Sequence, residues 1–106
     1  MMENPYSIVL TTTATQEEAE FITQQLLLKK LAACIHISPT TSHYVRNGKL
    51  EVAKEYVLSI KTRTRDFEVI QKVIKENHSY DIPQIIQTPI TDWSKEYIYR
   101  MDEVIE

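Results

Sequence analysis

The chain has 106 residues, 42% of them hydrophobic and 25% charged, which is ordinary usage for one globular domain and too short for two independent cores. Twelve Lys and Arg against fifteen Asp and Glu leave a formal net charge of -3, so no whole-molecule positive field draws in nucleic acid or an anionic membrane surface. The only glycine, Gly48, rules out Gly-rich phosphate loops; the only cysteine, Cys34, rules out an intramolecular disulfide and suits a reducing, cytosolic setting.

Met1-Met2-Glu3-Asn4-Pro5 lacks a basic segment leading into an apolar run, so no signal peptide is expected. Tyr6 to Thr13 alternates Ile8 and Leu10 against Ser7, Val9 and Thr11, the period of a strand. Thr15 and Glu18 form a capping-box pattern that opens a helix running to about Lys30, with Ala19, Ile22 and Leu26 on its apolar stripe. Its most apolar run, Leu26-Leu27-Leu28, stops at Lys29-Lys30, far too short to span a membrane. A second strand covers Cys34 to Ser38, where Pro39 is expected to interrupt it, and strand character resumes near His43 to Val45. Asn47-Gly48 is a tight-hairpin signal, and Lys49 to Thr62 reads as a long strand whose outer part projects as an arm. Phe67, Ile70, Val73 and Ile74 trace one face of a helix over Arg65 to Asn77. Pro83 favours extended chain, Ile85 to Ile90 reads as a strand, and a last helix spans Ser94 to Val104.

Strand, helix, two hairpin-linked strands, helix, strand is the βαββαβ order of an α+β, ferredoxin-like sandwich, a single domain over residues 1–106 with both crossover helices on one side of an antiparallel sheet. Val9 stands opposite Ile8, and Val57 opposite Leu58, so the second face also carries apolar side chains. A symmetric oligomer is the ordinary way to cover such a face and the edges of a long hairpin.

The stretches Val9-Leu10-Thr11-Thr12-Thr13, Lys30-Leu31-Ala32-Ala33-Cys34-Ile35, Asn47-Gly48-Lys49-Leu50, Ile60-Lys61-Thr62 and His78-Ser79-Tyr80-Asp81-Ile82-Pro83 resemble, in order and spacing, the CutA divalent-cation tolerance family. The resemblance covers about Ile8 to Arg100. It implies an intertwined homotrimer of ferredoxin-like subunits, similar in architecture to PII signalling proteins. Copper and other divalent ions are the implied ligands, with no organic cofactor, in a pocket between subunits lined by Cys34, Lys61, His78 and Tyr80. The chain departs from the family pattern at Val45 and Arg46, where aromatics are common, at Ser79 in place of proline, at Gln84 in place of glutamate, and at Arg100 in place of tryptophan.

Three side chains are candidate metal ligands. Cys34 and His36 stand two apart in a strand, on one face and about 6 to 7 Å apart by backbone rise, able to share one ion. Thiolate and imidazole suit copper or zinc, and Cu²⁺ stands highest in the usual affinity order. His78 is the third; the plainer readings are that Cys34 is a small buried hydrophobe and that His78 favours a helix C-terminus. Lys61 and Tyr80 are candidate ligand-binding residues, against a solvated lysine and an interface aromatic. His36 is expected to be too far from Cys34 for direct contact, so no catalytic nucleophile is assigned and no enzyme is expected. An alternative function is a PII-like signalling or assembly module that takes a small anionic ligand or a protein partner in the intersubunit cleft, with Lys61 as the charge and no physiological metal.

Overall fold

A computed structural model describes residues 4–105; the expectation for Met1 to Glu3 lies outside the described residues. Alternation in β1 (Tyr6–Thr13) decides where the core forms. Ser7, Val9, Thr11 and Thr13 are all wholly buried, and register places Val9 beside Ile60 and Thr11 beside Leu58 of β3 (Lys49–Arg63). Onto that face pack Ala19, Ile22 and Leu26 of α1 (Gln16–Leu28) and Ile70, Val73 and Ile74 of α2 (Phe67–Glu76), the latter entered through a short 3₁₀ turn at Thr64–Asp66. With β2 (Ala32–Arg46) and β4 (Ile85–Pro89), the strands form one antiparallel sheet in the order β2-β3-β1-β4. This is the expected ferredoxin-like arrangement. No helix among the described residues is long and apolar enough to cross a membrane.

Pro39 does not interrupt β2, which runs unbroken for 15 residues. β2 is an edge strand paired only with β3, and Pro39 sits opposite Tyr56 there; an edge strand tolerates a missing N–H because its outer groups pair with nothing in the sheet. Asn47 and Gly48, at φ 53° and 74°, close the hairpin between paired Arg46 and Lys49. Beyond the Tyr56–Thr13 pair, β2 and β3 have only each other, so residues 40–55 project as a two-stranded arm.

Helix ends follow local chemistry. Thr15 Oγ1 accepts from the Glu18 N–H at 3.2 Å, the expected cap. The other half of the capping box is absent, because the Glu18 carboxylate instead accepts from the Ser79 N–H and hydroxyl. α1 stops at Leu28; Lys30 takes the left-handed conformation at φ 58°, and its N–H and that of Leu31 reach back to the carbonyls of Leu27 and Leu26.

The last helix, α3 (Lys95–Val104), packs across the sheet face opposite α1 and α2. Ile98, Met101 and Ile105 bury against Tyr6. The Tyr6 hydroxyl and the Arg63 guanidinium both donate to Asp102, at 2.7 and 3.0 Å, and the Trp93 ring meets Tyr6 edge-on at 5.1 Å. Among the described residues, the helix cover of the second face is therefore at its Tyr6 end. Leu10, Val57 and Ile86 share that face by register but lie outside the cluster under α3, and Ile86 is 45% exposed.

Leu58→Ala, which empties the centre of the covered face, is expected to lower unfolding free energy in urea by about 2–5 kcal/mol. Thr15→Ala, which removes a cap, should cost about 1 kcal/mol. Equal losses in the two variants would contradict this division of the core from its edge.

Candidate functional site

Cys34 owes its position to one extra residue. The β2–β3 ladder pairs Ala32 with Thr62 and Cys34 with Lys61, so a bulge at Ala33 lets Ala32 bury under the helices while Cys34 turns to the opposite face. His36, two residues on, shares that face and is exposed. The side chains lean together: Cys34 Sγ lies 3.9 Å from His36 Nε2, closer than backbone rise suggests and at the outer limit of a sulfur contact. The expectation that they are out of reach is thereby corrected. Across the ladder, Lys61 Nζ lies 3.0 Å from His36 Nδ1. An ammonium can only donate, so Nδ1 accepts and the ring proton sits on Nε2, facing sulfur.

Beside Cys34 is a cavity of about 570 Å³ between β2 and α3, lined also by Ala33, Tyr97, Arg100, Met101, Glu103 and Val104. Burial, and secondly the neighbouring Cys34, push the Tyr97 phenol pKa up. Arg100, where the family resemblance leads to tryptophan, thus brings a cation to this wall, and Glu103 brings a carboxylate.

His78 and Tyr80 lie at the other end of β1. The His78 side chain is fully buried; Nε2 donates to the Thr12 carbonyl at 2.7 Å and Nδ1 accepts from the Tyr80 N–H at 3.0 Å. Both ring nitrogens are engaged, so an ion would have to displace one of these bonds. The Tyr80 hydroxyl donates to Glu55 at 2.5 Å, and Ser42 donates to the other oxygen of the same carboxylate. Burial first, then the hydrogen bond to Glu55, raise the Tyr80 pKa to about 12. Thr12, Ser42, Arg46, Glu55, Tyr80 and Gln84 are among the residues lining a cleft of about 910 Å³ between the arm and the loop after α2.

The five expected residues therefore form two groups. Cys34, His36 and Lys61 meet near Ile8, whereas His78 and Tyr80 meet at Thr12, four positions along β1. Among the described residues, no three His, Cys, Asp or Glu gather in a geometry that could hold a metal ion. Sequence reasoning missed Glu18, Glu55, Tyr97 and Met101. The capping box had already absorbed Glu18, and the contacts of the other three depend on which strands and helices meet.

These features define a ferredoxin-like α+β protein with a Cys–His pair on its half-covered face. The model of the CutA1 divalent ion tolerance protein family matches residues 7–103. A divalent-cation tolerance protein CutA from Archaeoglobus fulgidus is 39% identical over 101 residues, covering 95% of this chain and 99% of the relative. Its solved structure, described as periplasmic, superposes with a TM-score of 0.92 over 95% of this chain and 99% of that one. The Oryza sativa CutA1 structure is 30% identical, with a TM-score of 0.92 over 98% of this chain and 96% of that one. The chain belongs to the CutA1 divalent ion tolerance family.

The raised Tyr80 value has a testable consequence. A folded-state pKa of about 12 against an ordinary 10 means that the phenol's contribution to stability is complete below pH 10 and is lost as pH rises through 12. Tyrosinate absorbance should show a phenol ionising last, near pH 12, that is missing in Tyr80→Phe. An unchanged alkaline end in the variant would contradict the Glu55 contact.

Proposed function

We propose that this chain binds copper at Cys34 and His36 and serves in tolerance to divalent metal ions, as a homotrimer in the cytosol. The observation that carries the reading is the 3.9 Å separation of Cys34 Sγ and His36 Nε2. An ion bonded to sulfur at about 2.3 Å and to imidazole nitrogen at about 2.0 Å spans up to about 4.3 Å between its donors, so one ion reaches both. Copper leads among the divalent ions for this donor set. The single free cysteine is consistent with a reducing compartment, and the uncovered Leu10, Val57 and Ile86 support self-association.

Lys61 acts against the ion in this reading. Metal at Nε2 moves the ring proton to Nδ1, which can no longer accept from the ammonium, and the lysine charge repels a cation. The same tautomer presents a proton, not a lone pair, to Cys34, so His36 is not poised as a base and no reaction is assigned. A small anion held by Lys61 is the competing use of the site; the approach of Cys34 Sγ to His36 Nε2 favours the metal reading. His78 and Tyr80 serve to fix the loop after α2.

Calorimetry with Cu²⁺ should show affinity falling at least tenfold in Cys34→Ser and in His36→Ala, and rising in Lys61→Met. Unchanged affinity in the first two would remove the site. Weaker binding in Lys61→Met would favour an anion-dependent role.

A further inference from the structure

The two helices that cover the sheet differ on the side turned to water. α2 presents Glu68, Lys72, Lys75 and Glu76 there, with Val69 as its one large exposed apolar side chain. α1 instead presents Phe21, 49% exposed, and Leu28, 79% exposed. We infer that this outer stripe of α1 is a self-association face, on which α1 of a second copy of the chain packs antiparallel about a twofold axis between Gln24 and Gln25.

A helix turns about 100° per residue. Ala19, Ile22 and Leu26 bury in the core, which leaves Glu17, Phe21, Gln24 and Leu28, all exposed, within an arc of about 60° on the opposite side. Their steps of four, three and four residues are those of a two-helix seam. The stripe is also its own complement. In an antiparallel pair centred between Gln24 and Gln25, Phe21 of one copy stands level with Leu28 of the other, so two apolar contacts flank a polar centre.

Charge follows the same symmetry. Glu17 and Glu20 are exposed near the start of α1, and Lys29 is exposed just past its end. Glu20 accepts from the Gln16 amide at 3.1 Å, a neutral donor that leaves its charge in place. An antiparallel partner sets each acidic end beside a basic end and opposes the two helix dipoles, whereas a parallel partner stacks like on like. This complementarity selects a second copy over an unrelated surface. Four side chains per copy bury less than the roughly 800 Å² per partner of a standard interface, so the pairing is weak and grows with concentration. Because α1 covers the opposite side of the sheet from α3, this contact is distinct from any that would cover Leu10, Val57 and Ile86.

The test is disulfide trapping in the full chain carrying Cys34→Ser, so that each added cysteine is the only thiol in its copy. With helix axes about 9 Å apart, the Gln24 Cα atoms of two copies come within about 5 Å, inside disulfide range, whereas the Glu17 Cα atoms stand about 22 Å apart. Under diamide, Gln24→Cys should therefore form a two-chain band on a non-reducing gel at least tenfold faster than Glu17→Cys. Adding Leu28→Asp or Lys29→Glu to Gln24→Cys should slow trapping several-fold, and combining Lys29→Glu with Glu17→Lys and Glu20→Lys should restore it. Leu28 and Lys29 are both exposed, so these variants are expected to keep the wild-type circular dichroism spectrum. Without added cysteine, weight-average mass by sedimentation equilibrium should rise as the wild-type protein is concentrated from about 10 μM to about 1 mM, and should stay flat in Leu28→Asp. Trapping as fast at Glu17 as at Gln24, trapping at Gln24 that is indifferent to Leu28→Asp, or a mass curve that Leu28→Asp leaves unchanged would each overturn the antiparallel pairing.

Discussion

Period-two alternation in β1 and β3 makes both faces of this sheet partly apolar, and the chain supplies enough helix to cover only one of them completely. Val9, Leu58 and Ile60 disappear under α1 and α2. On the other side, α3 seals the Tyr6 end through Ile98 and Met101, held by the shared bonds of Tyr6 and Arg63 to Asp102. Burial of this kind contributes about 25 cal/mol per Å² of apolar surface, so half-buried Leu10 and Val57 and exposed Ile86 are surface whose further burial would add stability.

The candidate site lies at the border between the covered and uncovered parts of that second face. One bulge residue, Ala33, turns Cys34 from the core toward α3 and aligns it with His36 and Lys61. At the far end of β1, a separate set of bonds joins the loop after α2 to the rest of the fold: Glu18 holds Ser79, buried His78 holds Thr12, and Glu55 holds Tyr80 and Ser42. Ser79 gives Glu18 an N–H that proline would lack. Within one chain these two ends stay apart, so a pocket containing both Cys34 and His78 would need a neighbouring copy to bring them together.

Much of the fold was legible because its signals are local. Alternation marked β1 and β3, the Phe67-Ile70-Val73-Ile74 stripe marked α2, and Asn47-Gly48 marked the hairpin. The errors share a cause, which is that they depend on what lies beside an element. Pro39 reads as a break until sheet order makes β2 an edge strand. Glu18 reads as half of a capping box until the loop at Ser79 arrives to take its carboxylate. The side α3 covers is invisible in its own period, and so the cavity joining Cys34 to Met101 is too. The Cys34–His36 pair was legible as two residues on one face, but their approach to 3.9 Å is a matter of side-chain rotamers that strand rise does not contain.

Whether the half-bare face is shared between copies is decided most directly by mass in solution. Light scattering on dilute protein at micromolar concentration should give three times the 12.4 kDa of one chain, and Val57→Asp, which places a charge on the uncovered face, should shift that mass downward. A wild-type mass of one chain under the same conditions would contradict a face covered by neighbouring copies, and with it any pocket that joins Cys34 to His78.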